Sequence, residues 1–221
     1  LSRHLEAMDL ARTQDDAVAA ALFGVAWRVA PGEAARTFAG WQPVRQVEGF
    51  AIEANEHYRG LAWPVFQVRP EEHLRALLPA TGQQRRELLQ AAFLKHPEAI
   101  SLTAPSGATG QATLLRQDGR GYAFDCEMSH DGLLLVTSCW YPGVHAAVDG
   151  DPAPVLEANI AFCAVPVPAG RHRVELGYAP VGLPTGLAIT LFALVAAGLG
   201  MALLRRTRSE ARDGDDAARL H

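Results

Sequence analysis

Several things this chain lacks narrow its chemistry. It has three cysteines in 221 residues, with no Cys-x-x-Cys, so it encodes no disulfide-dense scaffold and no zinc ribbon. Histidines such as His57, His73, His96, His130, His145 and His172 are scattered, with no HxxxH or HExxH pair to hold a metal. No Gly-x-Ser-x-Gly elbow presents a serine nucleophile. Gly107 to Gly110 is followed by no Gly-Lys-Ser/Thr, so it is no phosphate loop. The formal net charge is -4 and no basic stripe is present, which argues against nucleic acid as a partner. The chain starts at Leu1 with no initiator methionine, basic n-region or apolar h-region.

One further absence is the most informative. From Val181 to Leu204 there is no Asp, Glu, Lys, Arg or His. About 20 apolar residues suffice for a helix to cross a hydrocarbon core of about 30 Å. Arg205, Arg206 and Arg208 follow at once, and short basic flanks mark the cytoplasmic side. The expected topology is a body outside the membrane, a span over 181–204 and a cytoplasmic C-terminus. An exported body without its own signal implies that this is the C-terminal part of a longer polypeptide. The tail 205–221 mixes charges with Ala and Gly and is expected to be solvated and disordered. Within the span, Gly186 to Thr190 and Ala193 to Ala197 are small-xxx-small spacings that suit docking against other spans.

The body divides by period. Arg3 to Val18 has a weak helical pattern. Ala21 to Val29 is a short apolar run that fits a buried strand, broken by Pro31-Gly32. Strands are expected at Val47 to Glu53 and Ala62 to Val68. Helices are expected from Glu71 to Leu78 and from Gln83 to Lys95. A soft boundary falls near Pro97 to Ser106. Beyond it, strands are expected at 112–117, 121–128, 133–141, 144–148, 155–156, 160–167 and 171–178. Asp118-Gly119, Asp131-Gly132 and Asp149-Gly150 read as hairpin turns, because a type I′ turn needs positive φ at both central residues. The predicted fold is α+β to mainly β: a mixed α/β subdomain (1–98), a jelly-roll-like β-sandwich (99–180), and one C-terminal transmembrane helix.

Chemistry in this body is sparse. Asp125, Glu127, Asp131, Asp149 and Glu157 supply carboxylates, but turns and exposed strand faces explain them as well as a glycosidase pair does. Ser138, His145 and Asp149 make no supported triad. No catalytic residue and no metal ligand is assigned. The residues most open to binding a glycan are Trp140, Tyr141, Asp149 and Asn159, because aromatic rings stack on sugar C–H faces while amides and carboxylates bond hydroxyls. Each also has a structural reading: Trp140 and Tyr141 at a sandwich rim, Asp149 in its turn, Asn159 at a strand corner. Cys126, Cys139 and Cys163 read as small buried hydrophobes; if two pair, Cys139 and Cys163 are the first choice.

An ordered series of residues carries a family resemblance. It runs through Ser138-Cys139-Trp140-Tyr141-Pro142-Gly143, Ala147-Val148-Asp149-Gly150 and Glu157-Ala158-Asn159-Ile160-Ala161-Phe162. Ala164 to Glu175 and Tyr178-Ala179-Pro180 complete it. Leu22-Phe23-Gly24-Val25, Glu53-Ala54-Asn55 and Pro64-Val65-Phe66 extend it more loosely. The series resembles the C-terminal end of the bacterial YfhO-like membrane proteins, which look like type C glycosyltransferases. The resemblance implies many N-terminal spans, a large β-domain and a last helix in the bacterial cytoplasmic membrane. It implies transfer of a sugar from a polyprenyl-phosphate carrier to a cell-envelope acceptor, with the catalytic acid on a loop this chain does not contain. The fragment itself would need no cofactor; its partners would be the bilayer, the other spans and envelope glycan. The alternative is a tail-anchored, non-catalytic module that binds glycan or protein. Two positions depart from the family: Val144, where Trp is usual, and Cys163, where a basic residue is usual.

Overall fold

The computed structural model describes residues 17–31, 40–77 and 87–218. A short helix α1 (Ala17–Leu22) leads to strand β1 (Trp27–Pro31), and β2 (Trp41–Val47) and β3 (Phe50–Asn55) complete an antiparallel sheet of order β1-β3-β2. Strands β4 (Ala62–Val65) and β5 (Gln67–Pro70) precede helix α2 (Glu71–Leu77), a 3₁₀ turn (Glu87–Gln90) and β6 (Ala91–Leu94). A second 3₁₀ turn (Pro97–Ala99) leads into the long β region. It holds β7 (Gly110–Asp118), β8 (Gly121–Met128), β9 (Gly132–Cys139), β10 (Val144–Val148) and β11 (Asp151–Ala153). It ends with β12 (Leu156–Ala158), β13 (Phe162–Val167) and β14 (Gly170–Tyr178), before helix α3 (Leu183–Ala218).

Two sheets form the predicted sandwich: one of order β11-β10-β14-β8-β7, the other β4-β9-β13-β12-β6-β5. Strand β9 shows why they stack. Its Leu133-Leu134-Leu135-Val136 run does not alternate with polar residues, as befits a strand covered on both faces. Successive side chains point to opposite faces. Leu134 and Val136 therefore pack with Cys163, Val165 and Val167 against Phe124, Cys126, Val174 and Leu176 of the five-stranded sheet. Leu133 and Leu135 pack the other way, into a core with Leu22, Trp63, Leu74, Leu88 and Phe93. The two edges of the six-stranded sheet, β4 and β5, are separated in sequence only by Phe66. β4 pairs antiparallel with β9 and β5 pairs parallel with β6, so one stretch of chain seams both edges and curls the sheet around this second core.

Several expectations need correction. Ala21 to Val29 is not one strand: helix α1 ends at Leu22, Gly24 turns the chain at φ +76°, and β1 begins only at Trp27. The expected helix over Gln83–Lys95 is a 3₁₀ turn and a strand over its described part; β6 is buried along its whole length, and an all-apolar segment carries no period to separate the two. The helix expected over Arg3 to Val18 lies almost wholly outside the described residues. A boundary near residue 98 falls inside one compact unit, because β4, β5 and β6 share a sheet with β9, β12 and β13.

Of the three Asp-Gly pairs, only Asp149-Gly150 makes a two-residue turn with positive φ at both positions (+53° and +91°), between the paired residues Val148 and Asp151. At β7–β8 the central pair is Gly119-Arg120. Asp131-Gly132 joins strands of different sheets and makes no hairpin. Glu48-Gly49 (φ +39° and +84°) closes the β2–β3 hairpin instead.

The second unit runs from Pro180. Leu183–Ala202, 20 residues, is long and apolar enough to cross a membrane, and its apolar stretch is not buried in protein. The helix does not stop at the basic cluster: α3 continues to Ala218, which corrects the disordered tail. Ala, Arg and Glu, which fill most of that stretch, are good helix formers, and the helix is already nucleated by the apolar run.

The doubly covered β9 yields a stability prediction. Leu134→Ala should cost about 3 kcal/mol, from lost burial plus the cavity left behind. Leu115→Ala, at an exposed position of β7, should cost less than about 0.5 kcal/mol. Urea unfolding of the detergent-solubilised chain, followed by tryptophan fluorescence, separates the two.

Candidate functional site

Three segments of the five-stranded sheet and its neighbour meet in a groove of about 470 Å³. The first is the β7–β8 turn. Asp118 closes it by accepting the Arg120 amide at 2.8 Å on one oxygen and the Arg116 guanidinium at 2.8 Å on the other. Those two bonds hold the carboxyl below its usual range, the amide contributing most. The second is the β9–β10 connection, with Ser138, Cys139, Tyr141 and Val144 on the wall. The third is the end of β14, Leu176 to Tyr178.

Backbone contacts lock these segments together. The Trp140 amide donates to Ala161 O at 2.7 Å, the Val144 amide to Tyr141 O at 3.1 Å, and the Ala179 amide to Gly143 O at 2.9 Å. Gly121 sits at φ +131°, and a Cβ there would stand 2.0 Å from Leu176 O. Only glycine permits that approach of β8 to β14. Tyr122 lies at the groove and stacks on Phe124 with ring centroids 6.1 Å apart.

The four residues singled out from the sequence do not converge. Tyr141 lines the groove and is 44% exposed. Trp140 is half-buried and packs against the sandwich core. Asp149 lies at the opposite end of β10, where one oxygen accepts the Arg173 amide (2.7 Å) and the other contacts His172 Nδ1 (2.7 Å).

Asn159 has no exposed surface at all, which removes it as a glycan contact. It has a left-handed backbone (φ +49°), its side-chain oxygen accepts the Phe93 amide at 3.0 Å, and its own amide donates to Phe93 O at 2.8 Å. It clamps β6 to the β12–β13 turn, where Ile160 is also left-handed at φ +76°. A β-branched residue rarely sits there; Ala161 of the same turn receives the Trp140 amide and so supports the groove wall.

Residues missed in the sequence are Arg120, Tyr122 and Tyr178. Each sits at a strand end or turn, and only the pairing of β8 with β14 and of β14 with β10 brings them side by side.

The cysteines match the expectation of small buried residues at two of three positions. All three are free thiols, with Cys126 and Cys163 buried but Cys139 exposed. Burial pushes both buried thiols up to about 12, so they are inert core residues. Cys163 turns into the sandwich core while Cys139 ends its strand at the groove, so the two do not pair as proposed from their neighbouring strands. Among the described residues, no three His, Cys, Asp or Glu gather as metal ligands.

Residues 108–190 match the family model described as bacterial membrane protein YfhO. Over that segment the chain is similar to the YfhO membrane-protein family. No curated protein and no solved structure matches the chain. The YfhO-like segment starts just before β7 and ends within α3, so it takes in all three walls of the groove and the first turns of the span. Val144, where the family resemblance leads one to expect Trp, is itself a groove residue.

Two measurements follow from this geometry. Gly121→Ala should destabilise the protein by about 3 kcal/mol, through forced backbone strain and the carbonyl clash, and should disturb the Tyr122 and Tyr178 signals in a tyrosine-labelled NMR spectrum. The Asp149–His172 pair should titrate as a unit. Its hydrogen bond to Asp149 raises the imidazole above its usual 6.5, and the same contact lowers the carboxyl below 3.8. The imidazole's contribution to stability is therefore full below pH 6.5 and lost as pH rises through the raised value. The carboxylate's contribution is present above pH 3.8 and lost as pH falls through the lowered one. The pair supports the fold best between these limits. In an NMR titration Asp149→Asn should return His172 toward 6.5; an unchanged midpoint would break the assignment.

Proposed function

We propose that this chain is the extracytoplasmic β-domain and last membrane span of a YfhO-like glycosyltransferase, which moves a sugar from a polyprenyl-phosphate carrier to a cell-envelope acceptor. The observation that carries this reading is the extent of the family match, which runs without a break from the sandwich into the apolar helix. The division of labour assigned to this part is to shape the acceptor side, without performing the transfer. The groove supports that division. Among the described residues its one carboxylate, Asp118, is already bound by Arg116 and by the turn amide, whereas a glycosyl-transferring acid or base needs a proton site within reach of the reacting oxygen. The groove's tyrosines and apolar floor suit holding a sugar face. Tyr178 ends the groove, and only four residues, Ala179 to Gly182, separate it from the first residue of α3.

The test uses source membranes and an antibody to residues 1–180. The reading expects a detergent-extracted band several times larger than 23.7 kDa, and accumulation of polyprenyl-linked sugar when the protein is depleted. The purified 221-residue chain alone should show no turnover of that donor. Turnover by the isolated chain would sink the division of labour. A band near 24 kDa with unchanged donor levels would remove the transferase reading.

A further inference from the structure

The groove holds a cation that the fold does not use. Arg120 is exposed at the β7–β8 turn; among the described residues only its backbone amide is hydrogen-bonded, to Asp118, on which its charge acts only as a minor influence. The arginines of β7 and β14 are committed: Arg116 to Asp118, Arg171 to Asp125, Arg173 to Glu175. Asp118 is the carboxylate nearest in the turn, and Arg116 already balances it, so the charge that Arg120 brings to the groove is left over. The same groove is lined by Tyr141 and Tyr178, which are 44% and 56% exposed, and by the buried Leu176. Large exposed aromatics at a concave, mostly apolar surface mark a binding site more often than chance exposure.

We infer that this groove binds an anionic saccharide, with a pyranose C–H face laid on Tyr141 and Tyr178 and a phosphate or carboxylate held by the Arg120 guanidinium. The chemistry selects this class by elimination. A purely apolar occupant would leave a guanidinium desolvated beside it without a counter-charge, which is costly. A neutral sugar would use the rings and leave the cation idle. A guanidinium presents a planar fork that matches phosphate and carboxylate oxygens, so its natural partner is an anion. The inference goes beyond the transferase reading and does not depend on it, because binding is read without any transfer step.

The experiment is isothermal titration of the full 221-residue chain in detergent with four probes: methyl glucoside, glucose 1-phosphate, glucuronic acid and inorganic phosphate. At least one sugar acid should bind about tenfold tighter than methyl glucoside, the scale of a charge-assisted hydrogen bond. Whichever binds tighter identifies the anion as phosphate or carboxylate. Arg120→Gln keeps the turn amide and should abolish that tenfold difference while leaving methyl glucoside binding unchanged. Tyr178→Ala should weaken all three sugars by about fivefold. Arg173→Gln, on a residue paired with Glu175 and outside the groove, should change none of them. Inorganic phosphate binding as tightly as glucose 1-phosphate would reduce the site to a surface charge and overturn the inference. So would equal binding of neutral and acidic sugars, or no sugar binding by a chain whose thermal melt shows it folded.

Discussion

The rest of this structure depends on a strand that is covered on both sides. β9 contributes Leu134 and Val136 to the core between the sheets, and Leu133 and Leu135 to the core behind them. Because both faces are apolar, the strand cannot lie at a surface, and sheet or helix must be supplied to each side. The five-stranded sheet covers one. The other is covered by the six-stranded sheet's own curl, closed where β4 passes into β5 across Phe66, together with α1, α2 and the turn at Glu87–Gln90. Segments before residue 98 thus complete a fold whose sandwich signals lie after it. A small amphipathic subdomain standing alone would have left the Leu133 face bare.

The groove is a by-product of the same packing. Glycine at position 121 lets β8 approach β14 closely enough for Tyr122 and Tyr178 to share a wall. The strained turn at Asn159 and Ile160 is fully buried and is held from two sides, by Phe93 and by the Trp140 amide. Strain of this kind persists only where the surroundings over-determine it. Here it holds the connection that carries Tyr141, so a fully buried turn still bears on the groove wall.

Charge in the body is handled locally and near the surface. Asp125 pairs with Arg171, Asp149 with His172, and Arg173 with Glu175, each at exposed or half-buried positions, where such pairs contribute little to stability. Glu53 is the exception: buried, it is bonded by Arg28, which also lies 4.7 Å from the Trp41 ring. Beside it Asn55 donates to Ala17 O and Val25 O and accepts the His57 amide, tying α1 to the three-stranded sheet. The Glu53-Ala54-Asn55 stretch therefore has a structural purpose, satisfying buried polar groups that would otherwise be costly.

What the sequence determined by itself is what local chemistry controls. The apolar run after Val181 forms a helix long enough and uncharged enough to cross a membrane. β8 and β10 have the bounds their own patterns indicate, because polar turns delimit them. Asp149-Gly150 makes its turn because both residues tolerate positive φ.

Tertiary structure decided whatever had no period or no local partner. β6 is four buried residues, and such a run reads equally as helix or strand until β5 and β12 pair with it. Asp131-Gly132 has hairpin chemistry, yet the two strands it joins find their partners in different sheets. Asn159, with the composition of a sugar-binding residue, is consumed by Phe93, sixty-six positions away. Arg120, Tyr141 and Tyr178 come together for the complementary reason: pairing across the sheet, which no short stretch of sequence encodes, sets them on one groove.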